Sequence, residues 1–90
     1  MTGDTRSRAE AVFADEGLEF HSWSNGPGYE YGEHRHPYHK VLICIEGSII
    51  FHTADGDVAM SPGDRLDLPP ETSHSATVGD TGVTCMEAAR

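Results

Sequence analysis

Six histidines in ninety residues is a high count, and three of them fall in an arrangement that suits a metal ion. His34 and His36 stand two apart in Tyr29 to His36, a stretch that alternates aromatic or His with smaller polar residues. On a strand both imidazoles would leave the same face and offer adjacent coordination positions. His74, just after Pro69-Pro70-Glu71-Thr72-Ser73, would arrive from a distant strand as the third nitrogen that a transition metal prefers. His39, beyond the corner at Pro37, is a further candidate ligand. His21 and His52 have no such company and read as ordinary polar positions.

The rest of the chain explains how such residues would be held. Residues 7 to 16 place Ala9, Val12, Phe13 and Glu16 on one helical face, and Gly17 follows in a C-cap position. Beyond it come short β-prone runs: Leu18–Trp23, Tyr29–His36, Val41–Ile45, Ile49–His52, Val58–Met60, Leu66–Leu68, Ser75–Val78 and Val83–Met86. Turn chemistry separates them at Asn25-Gly26-Pro27-Gly28, Glu46-Gly47-Ser48, Asp55-Gly56, Ser61-Pro62-Gly63, Pro69-Pro70 and Gly79-Asp80. Many short strands at this spacing predict an antiparallel sandwich or barrel, with Asp55-Gly56 as a hairpin. The run Val41-Leu42-Ile43-Cys44-Ile45 does not alternate, so it is expected to be covered on both faces, by the barrel interior and by the helix or a second subunit. Residues 1–17 thus form a helical segment and residues 18–90 a single barrel domain.

Charge and composition exclude several functions. Six Lys and Arg against fifteen Asp and Glu give a formal charge of −9, which repels phosphate backbones and argues against nucleic acid as a partner. The longest apolar run has five residues, far short of the ~20 that a spanning helix needs, so no membrane partner is expected. The polar start, Met1 to Arg8, carries no apolar core of a secretory signal, which predicts a cytoplasmic location. Cys44 and Cys85, in apolar runs, then read as buried reduced thiols. Arg65 and Asp67 share a face and can pair, while Asp64 is placed to bond the amides of its own turn.

Two spacings match a known pattern. The first runs Gly28, five residues, His34-Arg35-His36, three residues, Lys40, six residues, Gly47. The second runs Gly63, five residues, Pro69-Pro70-Glu71, two residues, His74, three residues, Val78. In these the chain resembles a small single-domain cupin over most of residues 28 to 86. It departs from the family where Lys40 replaces a glutamate, Glu71 a glycine and Val78 an asparagine. The resemblance implies an all-β, antiparallel jelly-roll barrel with a short N-terminal helix. It also implies a divalent transition metal (iron, manganese, nickel, zinc or copper) held by His34, His36 and His74. Family activities include dioxygenases, isomerases and sensing modules, so the fold does not choose among them.

Lysine at position 40 cannot coordinate a cation, because an ammonium has no lone pair. Three arrangements stay open: a metal on three histidines, His39 turning inward as fourth ligand, or a plain pocket with weak or no metal. An inward Lys40 would favour an anionic group beside it. Tyr38 and Glu71, close to the histidines in sequence, are further candidates for the ligand pocket. The expected function is metal-assisted handling of a small molecule, as an oxygenase or isomerase, or its non-catalytic binding or sensing. A domain of this size gains from burying more surface, which predicts a homodimer.

Overall fold

The computed structural model describes residues 2–90, with side chains from residue 4 onward. Helix α1 spans Thr2–Asp15, longer at its start than the sequence pattern predicts. It ends as expected at Gly17, whose φ of 69° lets Leu18 N–H reach the Phe13 carbonyl at 2.9 Å and Gly17 N–H that of Ala14 at 3.1 Å. That pair of bonds is the glycine-capped helix end in which the chain turns back, with Leu18 packing near Phe13.

Six strands follow: β1 (Phe20–Asn25), β2 (Glu30–His34), β3 (Lys40–Thr53), β4 (Gly56–Met60), β5 (Arg65–Leu68) and β6 (His74–Ala89). All pairings are antiparallel, and β3 with β6 forms the central ribbon. The front of β3 pairs with β5 and with the end of β6, which also carries β1. The back of β3 pairs with β4 and with the start of β6, which also carries β2. The two four-stranded halves enclose one core, in which Leu42, Cys44, Leu68 and Cys85 meet Ile49, Phe51, Met60 and Val78. This is the expected jelly-roll barrel. The hairpin at Asp55-Gly56 forms, with Thr53 opposite Gly56.

Two expected turns are instead irregularities inside long strands. Glu46-Gly47-Ser48 lies within β3, where the register shifts between Cys44 and Glu46 and again between Gly47 and Ile49. Gly79-Asp80 likewise lies within β6. Extra residues on one strand bend it without ending it. The shift also reverses parity, so that Leu42 and Cys44 face inward before it and Ile49 and Phe51 after it. Gly47 is required here: its φ is 76°, and a Cβ on it would stand 1.9 Å from the Gly82 carbonyl oxygen.

The doubly apolar run resolves along the same parity. Val41, Ile43 and Ile45 point away from the barrel and join Met86 and Ala88 beneath Ala9 and Phe13 of α1. The helix therefore supplies the second cover, and the face offered above to a second subunit is used within the chain. Among the described residues no helix is long and apolar enough to cross a membrane.

Candidate metal centre

His34 closes β2 directly opposite His74, the first residue of β6. His36 lies just past the end of β2, although the sequence pattern carried that strand through His36. Its carbonyl accepts the Glu71 N–H at 2.7 Å, which ties the segment after β2 to the loop before β6. The three rings converge: centroids are 4.3 Å apart for His34 and His74, 4.9 Å for His34 and His36, and 5.6 Å for His36 and His74. One ring nitrogen from each lies within 4.8 Å of the others.

Two of the rings are oriented by the backbone. Nδ1 of His34 bonds the Gly32 carbonyl at 2.7 Å, and Nδ1 of His74 bonds that of Thr72 at 2.9 Å. A carbonyl can only accept, so in the neutral ring the proton sits on Nδ1 and the lone pair on Nε2. The third ring gives the decisive test of fit. Nε2 of His36 is buried with no hydrogen-bond partner. A buried polar atom left alone costs about 1–3 kcal/mol, and a metal ion would satisfy it. Burial holds the pKa values of His36 and His74 below the ordinary value, with the Lys40 ammonium acting in the same direction. Neutral imidazole is the form that coordinates. The donor set fits a nitrogen-preferring transition metal.

A cavity of about 270 Å³ opens beside the triad. His34 and His74 line it, with Trp23, Tyr31, Leu42, Phe51 and Ala76 as its largely apolar wall. Tyr31 is fixed by its hydroxyl, which bonds the Asn25 amide, and by edge contacts with Trp23 and Tyr29. Lys40 also lines the cavity. It shares inward parity with Leu42 and Cys44, and only 9% of its surface is exposed. Its partner is Glu87, whose carboxylate lies 3.4 Å from Nζ and accepts the Trp23 indole N–H at 2.7 Å. Glu87 is the charged pocket residue that the sequence reading missed, along with the apolar lining of Trp23, Leu42, Phe51 and Ala76. The signal was present, since Val83, Cys85 and Glu87 alternate on the inward face of β6.

Other expected site residues lie elsewhere. His39 faces outward, because the residue before an inward Lys40 must. Its Nε2 lies 2.9 Å from Asp67, which holds Arg65, and Arg65 reaches Glu16, the residue after α1. The four-histidine arrangement is thus not formed. The Glu71 carboxylate is also turned away from the pocket, 3.4 Å from Arg35 on the surface. Its backbone has a φ of 63°, which explains why the pattern wants glycine there. Tyr38 stacks on the outer side of His36, at 5.1 Å, rather than lining the cavity. His21 is exposed, 3.5 Å from Glu87, and His52 bridges Asp57 and Thr77. Cys44 and Cys85 are buried free thiols, paired in register within the core.

A model of the AraC-like ligand-binding domain matches residues 17–85. The chain belongs to this family and is a cupin. A quercetin 2,3-dioxygenase of Bacillus subtilis is 33% identical to this cupin over 78 residues, covering 83% of the chain and 23% of the relative. The chain therefore spans about a quarter of that enzyme. A DMSP lyase from Ruegeria pomeroyi has a TM-score of 0.75 at 20% identity, over 81% of this chain and 38% of that one. A cupin superfamily protein from Desulfitobacterium hafniense has a TM-score of 0.72 at 15% identity, over 80% and 65% of the two chains. Both structural likenesses speak for the cupin fold alone.

Proposed function

We propose that this cupin holds one divalent transition metal on His34, His36 and His74 and uses it to bind and activate a small molecule in the adjoining cavity. The observation that carries this reading is the partnerless, buried Nε2 of His36, set among two other imidazoles whose protons are pinned elsewhere. A metal bound there would act as a Lewis acid, with positions left open for a ligand. The chain's own residues do the remainder. Gly32 and Thr72 fix ring tautomers, Tyr38 covers the outer side of His36, and the walls of Trp23, Tyr31 and Phe51 keep water from the bound molecule.

The likeness to a quercetin dioxygenase supports an oxygenase role. The ligand-binding family description supports a second reading, in which the same pocket binds or senses a small molecule without turnover. Isothermal titration of untagged, chelator-treated protein with zinc, nickel and iron(II) tests the metal centre that both share. Saturation near one ion per chain is expected. Absence of binding would remove the metal and leave the plain pocket.

A further inference from the structure

Lys40 and Glu87 give the cavity a polarity of its own, separate from the histidines. The Lys40 ammonium has three donors, is almost entirely buried and lines the cavity. Among the described residues its partner is a single Glu87 oxygen at 3.4 Å, beyond the usual hydrogen-bond range. Glu87 is not free to close on it. One of its oxygens is taken by Trp23 at 2.7 Å, and His21 stands 3.5 Å from the other. The result is a nearly buried cation whose one ion-pair contact among the described residues is a counter-charge held at arm's length. The neighbouring surface is apolar and aromatic: Trp23, Leu42, Phe51 and Ala76. A ligand complementary to both features carries one anionic group on a small apolar or aromatic body. Two anionic groups would meet the fixed Glu87 carboxylate.

We propose that Lys40 is the anion-reading residue of this pocket, taking the carboxylate of a small aromatic or apolar acid against the counter-charge of Glu87 that Trp23 holds in place. This rests on the small-molecule reading above but does not need the metal. Glu87 restrains the site, because its charge competes with the ligand's for the same ammonium. It thereby keeps Lys40 tolerable in the barrel when no ligand is bound.

Benzoate and its neutral isostere benzamide separate charge from shape, and their binding can be followed by NMR titration in the millimolar range. In metal-free protein, benzoate should bind at least about tenfold more tightly than benzamide, a margin suited to a charge-assisted bond in a shielded site. Lys40→Met should abolish that preference without changing benzamide, and Lys40→Arg should keep most of it. Glu87→Gln retains the acceptor for Trp23 but removes the charge, and should tighten benzoate severalfold. Equal binding of the two probes, no binding of benzoate, a preference that survives Lys40→Met, or weaker benzoate binding in Glu87→Gln would each overturn the proposal. Zinc titration of the same samples keeps the two readings apart. A benzoate preference that appears only after zinc is added overturns the role of Lys40 and leaves the metal centre standing. A preference carried by Lys40 in protein that binds no zinc does the reverse.

Discussion

The amide of Glu71 donates to the carbonyl of His36 over 2.7 Å, and by that bond the two histidine-bearing segments are joined. Glu71 makes the bond from a left-handed backbone, at a φ of 63°. Such a conformation costs a residue with a Cβ about 1–2 kcal/mol, whereas glycine adopts it freely but loses more entropy on folding. Glu71→Gly should therefore stabilise the fold by about 0.5–1 kcal/mol, read from urea denaturation, while leaving metal affinity intact. Its carboxylate faces Arg35 at the surface, a pair whose loss removes little.

Gly47 should be far less forgiving. Alanine there combines a strained φ with a Cβ 1.9 Å from a backbone oxygen of Gly82, so the β3–β6 ribbon must move apart. Gly47→Ala should cost about 3 kcal/mol or more, seen as a loss of soluble protein or a sharply lower melting temperature.

Acid should weaken the metal-free fold through His36 and His74. Burial lowers their pKa values in the folded state, so as pH falls the unfolded chain takes up protons first, near about 6.5. Stability from this source is complete above that value and is lost as pH falls through the folded pKa values. Denaturation of chelator-treated protein at about pH 7.5 and about pH 5.5 should show the fall, and His36→Asn should flatten it. Bound zinc should move the decline to lower pH, since protons and metal compete for the same nitrogens.

His39 should behave as a surface ion-pair residue. Its partner Asp67 belongs to a chain of charges that runs through Arg65 to Glu16 and so ties β5 to the turn that follows the helix. His39→Ala should cost no more than about 1 kcal/mol and spare zinc binding. His74→Ala should weaken zinc by about 100-fold or more, beyond what is lost when only the surroundings of a ligand are disturbed.

The contrast between His39 and Lys40 shows where the sequence stops being legible. The spacing of His34, His36 and His74, matched to a family pattern, was enough to bring them together, although the strand periodicity invoked for the first pair ends at His34. The glycine that ends α1 and the Asp55-Gly56 hairpin were also readable, each from local backbone chemistry. Parity along Val41–Ile45 was not, since every side chain in it is apolar and either face could be the core. The helix decides it by taking Val41, Ile43 and Ile45, which turns Lys40 inward and His39 outward. The bends in β3 and β6 were read as turns because glycine marks both, and only pairing across the ribbon tells a bulge from a chain reversal. Glu87 went unnoticed at the end of an apolar run, where a carboxylate ordinarily signals solvent. Its burial depends on Trp23 and Lys40, which lie far from it in sequence.

The proposed function depends on His34, His36 and His74 holding one metal ion. Elemental analysis and zinc titration of untagged protein, alongside the His34→Ala, His36→Ala, His74→Ala and His39→Ala variants, test it most directly. About one divalent ion per chain is expected in the wild type and in His39→Ala, and its loss in each of the other three. Stoichiometric metal that persists in those three, or a wild-type protein that binds none, would contradict it.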